Sequence, residues 1–185
     1  MGLGFLTTNG QETPGYIYEP TATHPFGKAN PDAPKEIKDF ELLIGECHCR
    51  SVARLAGQDW GDTLSMVWRF KYIMNGWAVQ DETLKEDGTY AGSIRQYNSD
   101  SAKWYVHYYS SNASPNTLPS WEGGKIEEDK IRLYRESPAP NGMPGFYRIT
   151  FYDMMEEGFN WVGEWVDTSE SIQFPVWRIY CKKQI

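Results

Sequence analysis

The sequence predicts an all-β protein: an up-and-down antiparallel barrel of about eight to ten strands, entered through one short helix and preceded by an extended arm. Three observations predict it. Apolar and polar residues alternate with period two over segment after segment of strand length. Clusters of Gly, Asn, Asp and Ser separate those segments at regular spacing. The chain also carries 8 Trp, 12 Tyr and 8 Phe among 185 residues. Such rings favour strands, and they line apolar cavities that keep a few polar handles.

Taken in order, residues 1–34 hold Pro14, Pro20, Pro25, Pro31 and Pro34 with Gly4, Gly10, Gly15 and Gly27 between them. Proline fixes φ and removes a ladder donor, so this stretch predicts an extended arm. Tyr16, Ile17, Tyr18 and Phe26 are its apolar contacts, either across the barrel or onto a partner. A helix follows over 34–44, with Pro34 at its first turn and Glu36 near its positive end. Phe40, Leu43 and Ile44 form its buried face, and Gly45 stops it. Residues 35–185 then form the barrel domain.

Strands are predicted at 47–56, 63–74, 77–85, 89–97, 102–110, 118–126, 130–136, 146–154, 159–167 and 173–183. In the second, Met66, Trp68, Phe70 and Tyr72 share one face, and Val67, Arg69 and Lys71 share the other. Asn75-Gly76 is a two-residue hairpin signal. Glu86-Asp87-Gly88, Asn98-Ser99-Asp100 and Glu156-Glu157-Gly158 mark further turns, and Gly123-Gly124 marks a bulge or bend. A barrel of this strand number encloses room for one small ligand.

The charge balance, 18 Lys plus Arg against 25 Asp plus Glu, gives a net of −7. Nucleic acid and anionic membrane surfaces both select basic patches, so neither is an expected partner. A homodimer stays open. No apolar run is long enough to span a bilayer. Residues 1–6 lack the charged start and apolar core of a secretory leader. Three cysteines, Cys47, Cys49 and Cys181, fit reduced thiols in a cytoplasmic protein. A bridge from Cys181 stays open, because a closed barrel sets the last strand beside the first.

Around residues 40–46 the chain resembles the calycin superfamily, the lipocalins and fatty-acid-binding proteins. These open with a short helical turn and a Gly-x-Trp. The glycine here is Gly45, and Cys47 stands in the tryptophan's place. His24-Pro25-Phe26-Gly27, Asn30-Pro31 and Phe40-x-x-Leu43-Ile44-Gly45-Glu46 together are similar to an uncharacterised lipocalin-like family of bacterial proteins. That resemblance implies a barrel with an interior ligand and brings no activity with it. Arg178-Ile179-Tyr180 resembles the Arg-x-Tyr with which fatty-acid-binding proteins clamp a carboxylate. The haem-binding barrels of the superfamily use a histidine near the C-terminal strands, whereas the last histidine here is His107.

Several residues carry candidate chemistry. Tyr105, His107 and Tyr109 share one face of 102–110, and Trp104, Val106 and Tyr108 share the other. With the first set inside, an imidazole flanked by two phenols suits acid/base chemistry in a reaction chamber: isomerisation, elimination or cyclisation. With the second set inside, the first becomes an outer aromatic face. Trp161, Gly163 and Trp165 share a face on which glycine leaves a gap for a ligand or a neighbouring ring. Arg148 and Arg178 lie within aromatic strands. Either one, turned inward, needs a carboxylate from Glu82, Glu164 or a ligand. Trp68 adds a ring to the interior face. Cys47-His48-Cys49 does not form a metal site, since on a strand His48 points away from both thiols. The expected function is binding of a small, largely apolar or amphipathic molecule, bearing a carboxylate or hydroxyl, by Trp68, Arg148, Trp161, Glu164, Trp165, Arg178 and Tyr180. No metal or cofactor is expected. The alternatives are an enzyme using His107, Tyr105 and Tyr109, and a protein-interaction module.

Overall fold

Alternation becomes strand throughout the chain. The computed structural model describes residues 15–56, 59–112 and 115–183. Its strands are β1 (Gly45–Ala53), β2 (Leu64–Ile73), β3 (Ala78–Lys85), β4 (Tyr90–Asn98) and β5 (Lys103–Ser110). They continue as β6 (Ser120–Glu127), β7 (Lys130–Glu136), β8 (Gly145–Met155), β9 (Gly158–Asp167) and β10 (Gln173–Lys183). Each pairs antiparallel with its neighbours in sequence, and β10 returns to β1 to close a ten-stranded barrel. Met66, Trp68, Phe70 and Tyr72 are buried along β2, the face that their alternation predicts.

At the closing seam Cys49 stands opposite Cys181, and the two form a disulfide across 132 residues of chain. The bridge left open by the sequence is therefore made, and the reduced state applies to Cys47 alone among the three. Cys47 is buried, and that burial pushes its thiol up to about 11. It is a packing residue rather than a nucleophile.

The entry helix is a 3-10 helix, Lys35–Leu43, capped by Pro34 and Ile44. Its buried residues are Ile37, Phe40 and Leu43. That spacing of three is the period of a 3-10 turn, in which side chains at i and i+3 eclipse. Ile37 thus replaces Ile44 in the expected face, because Ile44 has already left the helix as its cap. Gly45 takes the bend between helix and β1 at φ +126°, a conformation that L side chains rarely adopt.

Residues 1–14 of the expected arm lie outside the described residues. Residues 15–34 run without regular structure along the β2–β3 turn. Asn75 holds them there: its Oδ1 accepts from Tyr18 N at 3.0 Å, and its N–H donates to Glu19 Oε1 at 2.6 Å. Its carbonyl accepts from Asn30 Nδ2 at 3.1 Å. Tyr16 and Ile17 point to solvent. The expected two-residue hairpin is a longer turn through residues 74–77, closing on the pair Ile73 and Ala78. Among the described residues no helix is long and apolar enough to cross a membrane.

The helix packs against β3, β8 and β9 and plugs one end of the barrel. Phe40 enters the interior, edge-on to Trp104 at 4.8 Å and to Phe151 at 6.0 Å between ring centres. Trp104 Nε1 donates to Asp39 Oδ2 at 2.9 Å, tying the plug to β5. Partial burial raises the Asp39 carboxyl above its ordinary value, although the indole N–H opposes that shift.

Candidate ligand cavity

With period two and closure fixed, alternate residues of the strands point inward, save where the ladder shifts register between Lys125 and Glu127, Tyr152 and Met155, and Pro175 and Trp177. Three layers result. Nearest the helix lie Phe40, Phe70, Trp104, Phe151 and Phe159, all buried. Above them is an ion pair between Arg95 and Asp81, which are 2% and 3% exposed. Asp81 also accepts from Trp68 Nε1 at 2.7 Å. The Arg95 guanidinium lies among ring faces, 5.2 Å from Phe40 and 5.1 Å from Phe70. Cation–π attraction, worth up to about 2 kcal/mol when desolvated, offsets part of the cost of burying that charge.

The third layer is open space. A cavity of about 290 Å³ lies on the side of the ion pair away from the helix. That is near the lower end of small-molecule sites. Four indoles, Trp68, Trp121, Trp161 and Trp177, stand in its wall with Tyr108 and Tyr147. Trp161 and Trp177 meet edge-on at 5.2 Å, and Trp177 Nε1 donates to Ser51 Oγ at 2.8 Å. Burial pushes the Tyr147 phenol up to about 12, so it is neutral at physiological pH. The ring of Tyr147 fills the gap left by Gly163, where an added Cβ would collide with its hydroxyl. The gap on the Trp161 face therefore admits a neighbouring ring.

Other expected site residues lie elsewhere. Val106 and Tyr108 line the cavity, so Tyr105, His107 and Tyr109 occupy the outer face of β5. Tyr109 covers Gly92 from outside and accepts from Gln80 Nε2 at 2.7 Å. Tyr105 donates to Ser101 Oγ at 3.3 Å at the surface. The imidazole of His107 does not reach the cavity, and the acid/base set does not converge there. The physical reason is apolar preference: Trp104 and Val106 are 0% and 1% exposed, and only one face of a strand can be inside.

Arg178 and Tyr180 are likewise outside, because Trp177, Ile179 and Cys181 take the inner positions. The Arg178 guanidinium lies over the Trp60 ring at 4.8 Å, and Tyr180 is exposed. The Arg-x-Tyr pair therefore does not clamp anything in the barrel. Arg148 and Glu164 do meet, at 2.9 Å, but on the outer wall, since their neighbours Tyr147 and Ile149 line the cavity. Glu170, in the β9–β10 turn, closes over them, accepting from Arg148 and from Tyr134 Oη. Burial alone would lower Arg148, but Glu164 and Glu170 hold it above its ordinary value. Trp165 sits at the rim, its Nε1 donating to the Ser137 carbonyl at 2.8 Å. Of the expected ligand-binding set, Trp68 and Trp161 line the cavity.

Sequence reading missed Asp81, Arg95, Arg135, Tyr147 and Trp177. A signal existed for the first. A turn centred on Asn75-Gly76 fixes the register of β2 on β3, which sets Asp81 opposite the inward Phe70. Arg95 follows, because Asp81 faces Ser93 on β4 and Arg95 is the next inward residue.

A scan of protein-family models finds no match for the chain, and a search of curated proteins finds none either. Among solved structures, the chain is similar to the crystal structure of Rv2717c from M. tuberculosis, with a TM-score of 0.54 and 9% identity. The match covers 83% of this chain and 100% of that one. At that identity the likeness is one of fold: both chains build the same kind of barrel.

Proposed function

We propose that this protein is a calycin-like binding protein that holds one small, largely apolar molecule inside its barrel. The observation that carries this reading is the aromatic cavity of about 290 Å³ above the Asp81–Arg95 pair. A barrel that served only as a scaffold would gain stability by filling that space, since each vacant methylene-sized volume forfeits packing energy. Indole and phenol rings around a gap offer a flat apolar ligand large contact area at low entropic cost. The acid/base alternative loses its imidazole to the outer face of β5, so binding is favoured over catalysis.

The test is titration of the full chain with phenylnaphthylamine, a neutral apolar fluorophore. Saturable one-to-one binding is expected, with energy transfer from the cavity tryptophans. The Ala91→Phe variant, which puts a ring into the cavity wall, should lose that binding while keeping its strand signal in circular dichroism. Absence of saturable binding to the unaltered chain would overturn the reading.

A further inference from the structure

Resting on that binding reading, we propose that Arg135 anchors an anionic group of the ligand, which makes the ligand class a small organic anion with a flat apolar body. Arg135 lies on the inner face of β7, two residues beyond the buried Leu133, and it lines the cavity. Its guanidinium stacks on Trp121 at 4.3 Å and lies 5.8 Å from the centre of Tyr147.

The other interior charges are neutralised. Asp81 is taken by Arg95 and by the Trp68 N–H. Among the described residues, no carboxylate stands within ion-pair distance of Arg135; the pairs formed involve other cations. Glu136, its chain neighbour, is exposed on the opposite face. Tyr147 does not neutralise it, because burial keeps that phenol protonated. The cavity wall therefore carries one positive charge in excess, in a chain whose net charge is −7. An aromatic wall attracts a cation but does not replace a counter-ion.

A second group stands beside it. Trp121 Nε1 is buried and has no hydrogen-bond partner. Carboxylate and sulfonate oxygens accept from a guanidinium and from an indole N–H alike. The β6–β7 ladder ends at Glu122 and Tyr134, one step short of Trp121 and Arg135. Both side chains thus sit where these two strands part, each held on its other side, Trp121 opposite Val106 and Arg135 opposite Tyr147, and a ligand oxygen can enter between them. On the far side of the cavity Lys85 Nζ lies over Trp177 at 4.6 Å and adds positive potential. The ligand's charged end sits at Arg135, and its apolar end lies along Trp161 and Ile149.

Two probes with one aromatic skeleton test this: anilinonaphthalene sulfonate and the neutral phenylnaphthylamine. The unaltered chain should bind the sulfonate about tenfold more tightly than the neutral probe, the range of one charge-assisted hydrogen bond. Arg135→Gln should lose that advantage while binding the neutral probe as before, which also shows the variant to be folded. Arg135→Lys should keep part of it, and Trp121→Phe should lose about threefold for the sulfonate alone. Equal sulfonate binding by the unaltered chain and Arg135→Gln overturns the anchor and leaves the cavity reading standing. Failure of the unaltered chain to bind either probe overturns both.

Discussion

The interior is organised around a few polar side chains that rings surround. The Asp81–Arg95 pair is the clearest case, because both groups are almost wholly removed from water. Breaking such a pair from one side leaves a buried charge without a counter-ion, at a cost of about 3–5 kcal/mol. Asp81→Ala should therefore lower stability by that amount in urea unfolding. The double variant Asp81→Leu, Arg95→Met should recover most of the loss. A cost under about 1 kcal/mol for Asp81→Ala would mean that Arg95 is satisfied otherwise. At this scale the sequence was least legible. Asp81, Arg95 and Arg135 carry no local signal of facing inward, since inward charges are rare and only strand register reveals them. Arg178 with Tyr180 matched a local motif whose face is set by Trp177 and Ile179. The facing of His107 stays open in the sequence, and the burial of Trp104 and Val106 decides it.

Strands were legible because one alternating pattern repeats ten times, and each turn cluster falls between two runs. The helix was legible in place but not in type. Its apolar residues Ile37, Phe40 and Leu43 follow a period of three, which short windows confuse with 3.6. Its role as a plug was not legible, because docking depends on barrel closure rather than on local pattern. Phe40 bears that role: it touches Trp104, Phe151 and the Arg95 guanidinium at once. Phe40→Ala should destabilise the chain by about 3–5 kcal/mol, as for other buried aromatic truncations, measured by chemical denaturation. A loss below about 1 kcal/mol would show that the barrel end closes without the helix. Glycine also acts at the level of the element. Gly92 and Gly163 each admit a tyrosine from the neighbouring strand, Tyr109 outside and Tyr147 inside.

For the whole molecule, closure leaves the ten strands without a free edge, and the Cys49–Cys181 bridge joins the first strand to the last. The helix seals one end, the ion pair forms a floor, and the aromatic cavity opens beyond it. The proposed role as a container for an organic anion rests on the apolar wall, the neutral phenol and a cation without a carboxylate partner among the described residues. The most direct test is native mass spectrometry of the full chain purified from its own source, followed by release under denaturing conditions. The expected result is a one-to-one adduct of a small organic acid, lost on denaturation and absent from the Ala91→Phe variant. A chain that carries the bare protein mass in both forms, and that takes up no added organic acid in the same experiment, would contradict it.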